Sequence, residues 1–166
     1  MKLSRFHTLF LALCAAWLLL SLSACGGGNV TVADLPTYPD AVRLQAGEDP
    51  IADTLAQNMA QNAAMTSGMG GLGGSIEQVA FRLPAGTTWD DLNGFLSREL
   101  KAAGWSEGMG GPGGNLASQA LASANAGNDM VQTGMWNKGK QILTVYRLTD
   151  PNNVDQPYLI VSLNTN

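Results

Sequence analysis

Histidine and cysteine are almost missing from this chain of 166 residues, which has one histidine and two cysteines. All three, His7, Cys14 and Cys25, lie within the first 25 residues. The rest of the chain therefore lacks the ligands of the usual zinc sites and the base of Ser-His-Asp or Cys-His catalysis. It also has no thiol for disulfide exchange or for an internal disulfide, so burial of apolar side chains must stabilise its core.

Positive charge is scarce as well. Nine Lys and Arg residues face 13 Asp and Glu residues, which gives a net charge of −4 at neutral pH. An acidic chain repels phosphate backbones and anionic headgroups. Nucleic acid is therefore not expected as a partner.

The N-terminus has the three-part layout of a secretory signal. Lys2 and Arg5 form a short positive head, the apolar run Leu9–Leu22 follows, and the sequence Leu22-Ser23-Ala24-Cys25 ends it. This ending resembles the lipobox of bacterial lipoproteins at every position. The resemblance implies that residues 1–24 are a signal peptide, that signal peptidase II cuts before Cys25, and that the Cys25 thiol is acylated. Cys14 fits poorly, because Leu13 before it is too large for the peptidase pocket.

The alternative to a lipoprotein signal is an uncleaved membrane-spanning helix. The uncharged run Thr8–Ala24 is near the lower limit of the roughly 17–25 residues that a span needs. Small residues and glycines follow it instead of positive charges, which favours the lipoprotein. Two acyl chains anchor a protein stably to a bilayer, whereas one chain is marginal.

The predicted mature chain of 142 residues keeps 7 basic residues, since Lys2 and Arg5 are removed, against 13 acidic ones, a net charge of −6. Residues 25–34, with Gly26–Gly28, are interpreted as the acylated cysteine and a flexible tether. Residues 35–166 are interpreted as one domain. By family analogy, Gly26 after the cysteine gives no inner-membrane retention signal, so we expect the outer membrane or the outer leaflet of the plasma membrane.

The segment Leu35–Ala41 reads Leu-Pro-x-Tyr-Pro-x-Ala, and its two prolines favour extended backbone. Together with a later strand, a helix and a Gly-Trp pair, it resembles small uncharacterised bacterial lipoproteins and extracytoplasmic domains. That resemblance implies that the Tyr-Pro segment lies across a sheet. It says nothing about activity. Asp40 departs from the pattern, in which glycine is commoner.

Hydrophobic periodicity predicts two main helices and four strands. A helix is expected over Asp49–Met65, and an amphipathic helix is expected to begin after the cap Thr88 and end at Gly104. The predicted strands are Ser75–Leu83, Met130–Trp136, Gln141–Leu148 and Tyr158–Leu163. The predicted fold is α+β: a small antiparallel sheet in the order strand, helix, strand, strand, strand, with the amphipathic helix packed on one face.

Gly/Met-rich insertions near residues 66–74 and 107–129 interrupt this pattern. Both contain the spacing G-x-G-x-x-G, at Gly68, Gly70 and Gly73 and at Gly108, Gly110 and Gly113. Neither follows a strand and opens a helix, as a dinucleotide site requires, so flexible loops are the better interpretation. A weak helix is expected over Leu116–Ala126.

Other candidate chemistry is weakly supported. Methionines could bind copper, but none are spaced as Met-x-Met or Met-x-x-Met; they are Met59, Met65, Met69, Met109, Met130 and Met135. Asp150, Asn152 and Asp155 lack the glycine and glutamate of an EF-hand loop, so a turn is preferred to a calcium site. Asp90, Asp91 and Glu99 are better explained by helix capping and a solvated helix face than by acid–base catalysis.

We therefore expect a membrane-anchored, non-enzymatic interaction or scaffold module of the cell envelope, without metal or cofactor. Its expected partners are the bilayer, through acylated Cys25, and another envelope protein. An alternative is a small-molecule or glycan binder with an aromatic rim of Trp105, Trp136 and Tyr146, to which Trp89 could contribute. A pocket formed by Trp105, Trp136 and a buried carboxylate would favour the binder. A long unpaired sheet edge would favour the interaction module, through strand addition.

Overall fold

A computed structural model describes residues 29–55, 57, 58, 61, 74–108, 114–150 and 153–165. The predicted signal peptide and Cys25 lie outside the described residues, as do most of the predicted 66–74 insertion and residues 109–113 of the second insertion. Within the described ranges, no helix is both long enough and apolar enough to cross a membrane.

The described residues form six strands and three α-helices, with a short 3-10 helix near their start. The 3-10 helix is Val32–Asp34, and the first α-helix, α1, begins at residue 50 and includes residues 51–55, 57, 58 and 61. The other helices are α2, Trp89–Ala102, and α3, Gly114–Asn125. The strands are β1 Val42–Arg43, β2 Ser75–Arg82, β3 Ser106–Glu107, β4 Val131–Lys138, β5 Gln141–Asp150 and β6 Asn153–Thr165.

All strands join one antiparallel sheet in the order β1-β2-β6-β5-β4-β3. The prediction of a mixed α+β fold with an antiparallel sheet is confirmed. The predicted order of strand, helix and three strands is wrong in detail, because β1 and β3 extend the sheet at its two edges. Each of these strands has only two residues, too few to show the alternation that identifies a strand in a sequence.

The last strand is also longer than predicted, since it begins at Asn153 rather than at Tyr158. Pro157 explains the difference, because a proline inside a run argues against a strand. Here Pro157 lies in the irregular part of the ladder, between the pairs Leu148–Tyr158 and Asp150–Asn153. Its carbonyl still accepts a hydrogen bond from the Leu83 N–H at 2.9 Å.

The strand β4 ends two residues later than predicted, at Lys138 rather than Trp136, and a two-residue turn joins it to β5. Asn137 and Lys138 are paired strand residues, and Gly139 and Lys140 form the turn. Gly139 has φ of +60°, the conformation that two-residue hairpin turns need at their first position. Gly139 therefore supplies the positive φ that this turn requires.

The core lies between one face of the sheet and the apolar stripe of α2. Leu92, Leu96 and Leu100 of α2 are buried at helical spacing. The opposing sheet residues alternate along their strands and are also buried; they include Val79, Trp136, Leu143, Val145, Val161 and Leu163. This face of the sheet is called the core face below.

Both ends of α2 are closed by the residues that the sequence predicts. Thr88 Oγ1 accepts a hydrogen bond from the Asp91 N–H at 3.2 Å, as an N-cap does. At the other end Gly104 has φ of +82°, its N–H bonds to the Lys101 carbonyl, and the Trp105 N–H bonds to the Leu100 carbonyl. This pair of bonds is a Schellman motif, and it turns Trp105 into the core.

Two glycines of this helix allow a matched test of backbone conformation. Gly104→Ala places a side chain at positive φ and should lower the free energy of unfolding by about 1 kcal/mol. Gly94→Ala lies inside α2, where a Cβ meets nothing within 4 Å, and should raise it by about 0.5–1 kcal/mol. Urea denaturation followed by circular dichroism measures both values. If both variants change the free energy of unfolding in the same direction, the assignment of the helix end is contradicted.

The segment before β1 also packs on the core face. The amide of Gln141, buried in β5, accepts from the Val30 N–H at 2.9 Å and donates to the Val30 carbonyl. Farther on, the rings of Tyr38 and Phe95 meet edge to face, with their centroids 5.3 Å apart. Residues 30–41 therefore run across the sheet beside α2 and lead into β1.

Candidate functional site

The outer edge of β4 is covered along most of its length. β3 pairs with Trp136 and Asn137, and the Gly108 N–H donates to the Met135 carbonyl. The side-chain amide of Asn125, the last residue of α3, then accepts from the Thr133 N–H at 2.9 Å and donates to the Thr133 carbonyl at 2.8 Å. These are the two bonds that a neighbouring strand would make, so α3 and β3 together close this edge.

Among the residues that the structure describes, the outer edge of β2 is covered only at its end. β1 pairs with Phe81 and Arg82, and the Leu44 N–H adds one bond to the Ala80 carbonyl. Within the described part of the chain, no strand pairs with residues 75–79 on the side away from β6. Ile76 on this stretch is 40 % exposed. Residues 75–79 are called the open edge below.

The three residues of the predicted aromatic rim do not share one surface. Trp105 and Trp136 are buried in the core, at 4 % and 1 % exposure, whereas Tyr146 is half-buried on the opposite face of the sheet. The two tryptophans do border a cavity of about 650 Å³ between α2 and β3, together with Glu107. The Glu107 carboxylate is exposed, so this cavity lacks the buried carboxylate that would favour the predicted binder.

A charged cluster joins the start of α1 to the sheet. Arg82 donates to Asp49 at 2.8 Å and to the Tyr158 hydroxyl at 2.6 Å, and its guanidinium lies 4.3 Å from the centroid of the Tyr158 ring. Asp150, one of the residues considered for calcium, lies 3.6 Å from Arg82. Burial raises the pKa of the Tyr158 hydroxyl, which stays protonated at neutral pH. The cluster is a partly buried structural ion pair with an aromatic wall.

The acidic residues considered for catalysis have structural partners. Asp91 bonds to the Thr88 hydroxyl at 2.6 Å, and Glu99 pairs with the exposed Arg98 at 2.9 Å. Asp90 is exposed at the start of α2. Across the described ranges, no three His, Cys, Asp or Glu side chains come close enough together to hold a metal ion.

The other predicted motifs are only partly described. Met130 is exposed and Met135 is half-buried on β4, while Met59, Met65, Met69 and Met109 lie outside the described residues. Of the two glycine motifs, only Gly108 is described, and it has φ of +89°. It directly follows β3, so the prediction that no strand precedes this motif is wrong; a strand of two residues leaves no periodic signal in the sequence. Asn152 is also outside the described residues.

A second cavity, of about 550 Å³, opens at the start of α2 and was not predicted. Arg147 and Gln132, paired on neighbouring strands of the core face, border it together with residues of α2 and the loop before β4. One signal in the sequence could have identified it. Arg147 stands where the alternation of Leu143 and Val145 calls for an apolar residue. The region is called the Arg147 cavity below.

No known protein family, no curated protein and no solved structure matches this chain.

Proposed function

We propose that this protein is a lipid-anchored, extracytoplasmic interaction module of the cell envelope, which binds another envelope protein by strand addition. The anchor is the acylated Cys25 that the lipobox resemblance implies. The partner supplies an extended segment that pairs with the open edge of β2. Anchoring by two acyl chains keeps the module at the membrane surface while its sheet engages the partner.

The observation that carries this proposal is the contrast between the two sheet edges. Exposed strand edges invite pairing with other chains, and proteins normally cover them. Here the Asn125 amide and β3 close the β4 edge, while β1 covers only the end of the β2 edge. Strand addition uses such an edge, since main-chain hydrogen bonds give affinity and alternate side chains give specificity.

The direction of the backbone groups on β2 allows a specific test. The Ala80 carbonyl bonds outward to Leu44, whereas the Leu83 N–H bonds inward to the carbonyl of Pro157 on β6. Because backbone groups alternate in direction along a strand, the N–H of Ile76 points outward, like the carbonyl of Ala80. Ile76→Pro therefore removes an outward donor without removing a bond to β6.

We expect a photo-crosslinking residue at Ser75 to form one defined adduct in the native envelope, and Ile76→Pro to abolish that adduct. Ile76→Ala keeps the outward N–H and should retain it. A crosslinker at Leu116, exposed on α3, should not give the same adduct. An adduct that persists with Ile76→Pro, or that Leu116 reproduces, would contradict strand addition. Mass spectrometry should locate the crosslink in an extended segment of the partner.

The anchor is tested separately by metabolic labelling with a palmitate analogue. We expect label on the wild-type chain and none after Cys25→Ala, because the thiol is the acylated group. The chain with Cys14→Ala is the matched control and should label like the wild type. Label that persists after Cys25→Ala would refute the lipoprotein assignment but leave the open edge unaffected.

A further inference from the structure

The Arg147 cavity contains a cation whose hydrogen-bond acceptors are all neutral. The half-buried guanidinium of Arg147 donates to the Thr87 carbonyl at 3.0 Å, to Gln132 Oε1 at 3.2 Å and to Thr149 Oγ1 at 3.5 Å. All three acceptors are neutral. Among the described residues, no carboxylate lies within 4.0 Å of it. Asp129 borders the same cavity and attracts the guanidinium from beyond that distance. A partly buried charge with no carboxylate in contact is unfavourable, and a bound anion would relieve that cost.

The side-chain amide of Gln132 is a second polar group that borders this cavity. Gln132 is only 9 % exposed, and its Oε1 is occupied by Arg147. Its Nε2 and Nη2 of Arg147 make no hydrogen bond within the described part of the chain, and both donors are open to solvent. Both side chains border the same cavity. Two groups of N–H donors, one of them charged, suit the two oxygens of a carboxylate.

The walls of the cavity carry the opposite charge and an apolar surface. Asp90 and Asp129 are exposed there, so a ligand with several negative charges would be repelled. Half-buried Trp89 forms part of the wall, and Met130 and Val154 add apolar side chains that are 53 % and 64 % exposed. A volume of about 550 Å³ is typical of pockets for small molecules.

We propose that the Arg147 cavity binds a small apolar α-amino acid in its zwitterionic form. The carboxylate of the ligand bonds to Arg147 and Gln132, and its ammonium group faces Asp129 and Asp90. Its side chain packs on the apolar wall of Trp89, Met130 and Val154. This binding is separate from strand addition, because the cavity lies at the opposite side of the sheet from the open edge.

The test uses the full acylated chain in detergent micelles and L-leucine as the probe, with isothermal titration calorimetry as the measurement. We expect leucine to bind with at least about tenfold higher affinity than leucine amide, which lacks the carboxylate. We also expect leucine to bind with at least about tenfold higher affinity than 4-methylpentanoate, which lacks the ammonium group. Absence of binding with about 10 mM leucine, beyond the millimolar range of weak ligands, would overturn the proposal.

Substitution of the arginine separates binding from folding. Arg147→Met should weaken leucine binding by at least about tenfold, while its circular dichroism spectrum shows that the variant is folded. Arg98→Met makes the same charge change on an exposed side chain and should leave binding unchanged. If Arg147→Met does not fold, Arg147→Lys keeps the charge, loses the planar fork and should still weaken binding.

The ammonium site is tested with Asp129→Asn. This variant should weaken leucine binding but should not weaken the binding of 4-methylpentanoate, because only leucine carries the positive group that Asp129 attracts. Equal affinity of the wild type for leucine and 4-methylpentanoate would overturn the zwitterion assignment. Unchanged leucine binding by folded Arg147→Met would overturn the site itself.

Discussion

Trp136→Ala should lower the free energy of unfolding by about 3–5 kcal/mol, the usual cost of removing a buried aromatic side chain. Trp136 is 1 % exposed and belongs to the core cluster. Its six-membered ring lies over Gly134, where a Cβ would be 2.6 Å from Trp136 Cη2. Because the backbone at Gly134 is shaped to this ring, alanine at position 136 leaves a cavity that neighbours cannot readily fill. Urea denaturation followed by circular dichroism measures the loss.

Two variants control for this result. Trp136→Phe keeps most of the apolar volume and should lose clearly less stability than Trp136→Ala. Leu116→Ala removes a side chain that is 73 % exposed on α3, and its free energy of unfolding should stay within about 0.5 kcal/mol of the wild type. A loss for Trp136→Ala no greater than that for Leu116→Ala would contradict the core position of this tryptophan.

Arg82→Met should lower the free energy of unfolding by about 3 kcal/mol, because it removes the cation from two buried carboxylates. Asp49 and Asp150 are each 8 % exposed, and their oxygens lie 2.8 and 3.6 Å from the Arg82 guanidinium. The side chain of Arg82 is 25 % exposed, which places the expected loss at the lower end of the range for buried pairs. Thermal and urea denaturation both measure this change.

Arg98→Met is the matched control, since it removes the same charge from an exposed pair. The side chains of Arg98 and Glu99 are 67 % and 41 % exposed, so water and salt screen their interaction. Its loss should be no more than about 0.5 kcal/mol. Similar losses for the two arginine variants would show that burial does not strengthen the Arg82 cluster.

The helix α2 could be predicted from the sequence because its determinants are local. Thr88 and Gly104 define its ends within one turn each, and Leu92, Leu96 and Leu100 define its buried stripe. The long strands were also predictable, because alternation over six or more residues is a strong signal. β1, β3 and the first part of β6 were not, since two residues carry no period and Pro157 argues against a strand.

The candidate sites were less predictable, because they depend on groups far apart in the chain. Position 125 shows only an asparagine at the end of a weak helix, and nothing local indicates that its amide completes the edge of β4 eight residues later. Trp105 and Trp136 were expected at a rim, but a large aromatic residue gives the same signal whether it lines a surface or fills a core. Their burial depends on how α2 crosses the sheet.

The amino-acid sequence by itself determined the helix caps, the alternation of the long strands, and the lack of histidine and thiol chemistry beyond residue 25. These properties depend on residue types and short-range spacing, and they hold in any tertiary arrangement. Only the tertiary structure decided which sheet edge is covered, that Asp49 and Asp150 face Arg82, and that Arg147 donates to neutral acceptors. Charge balance and edge pairing are properties of groups brought together from distant positions, so the order of residues alone does not contain them.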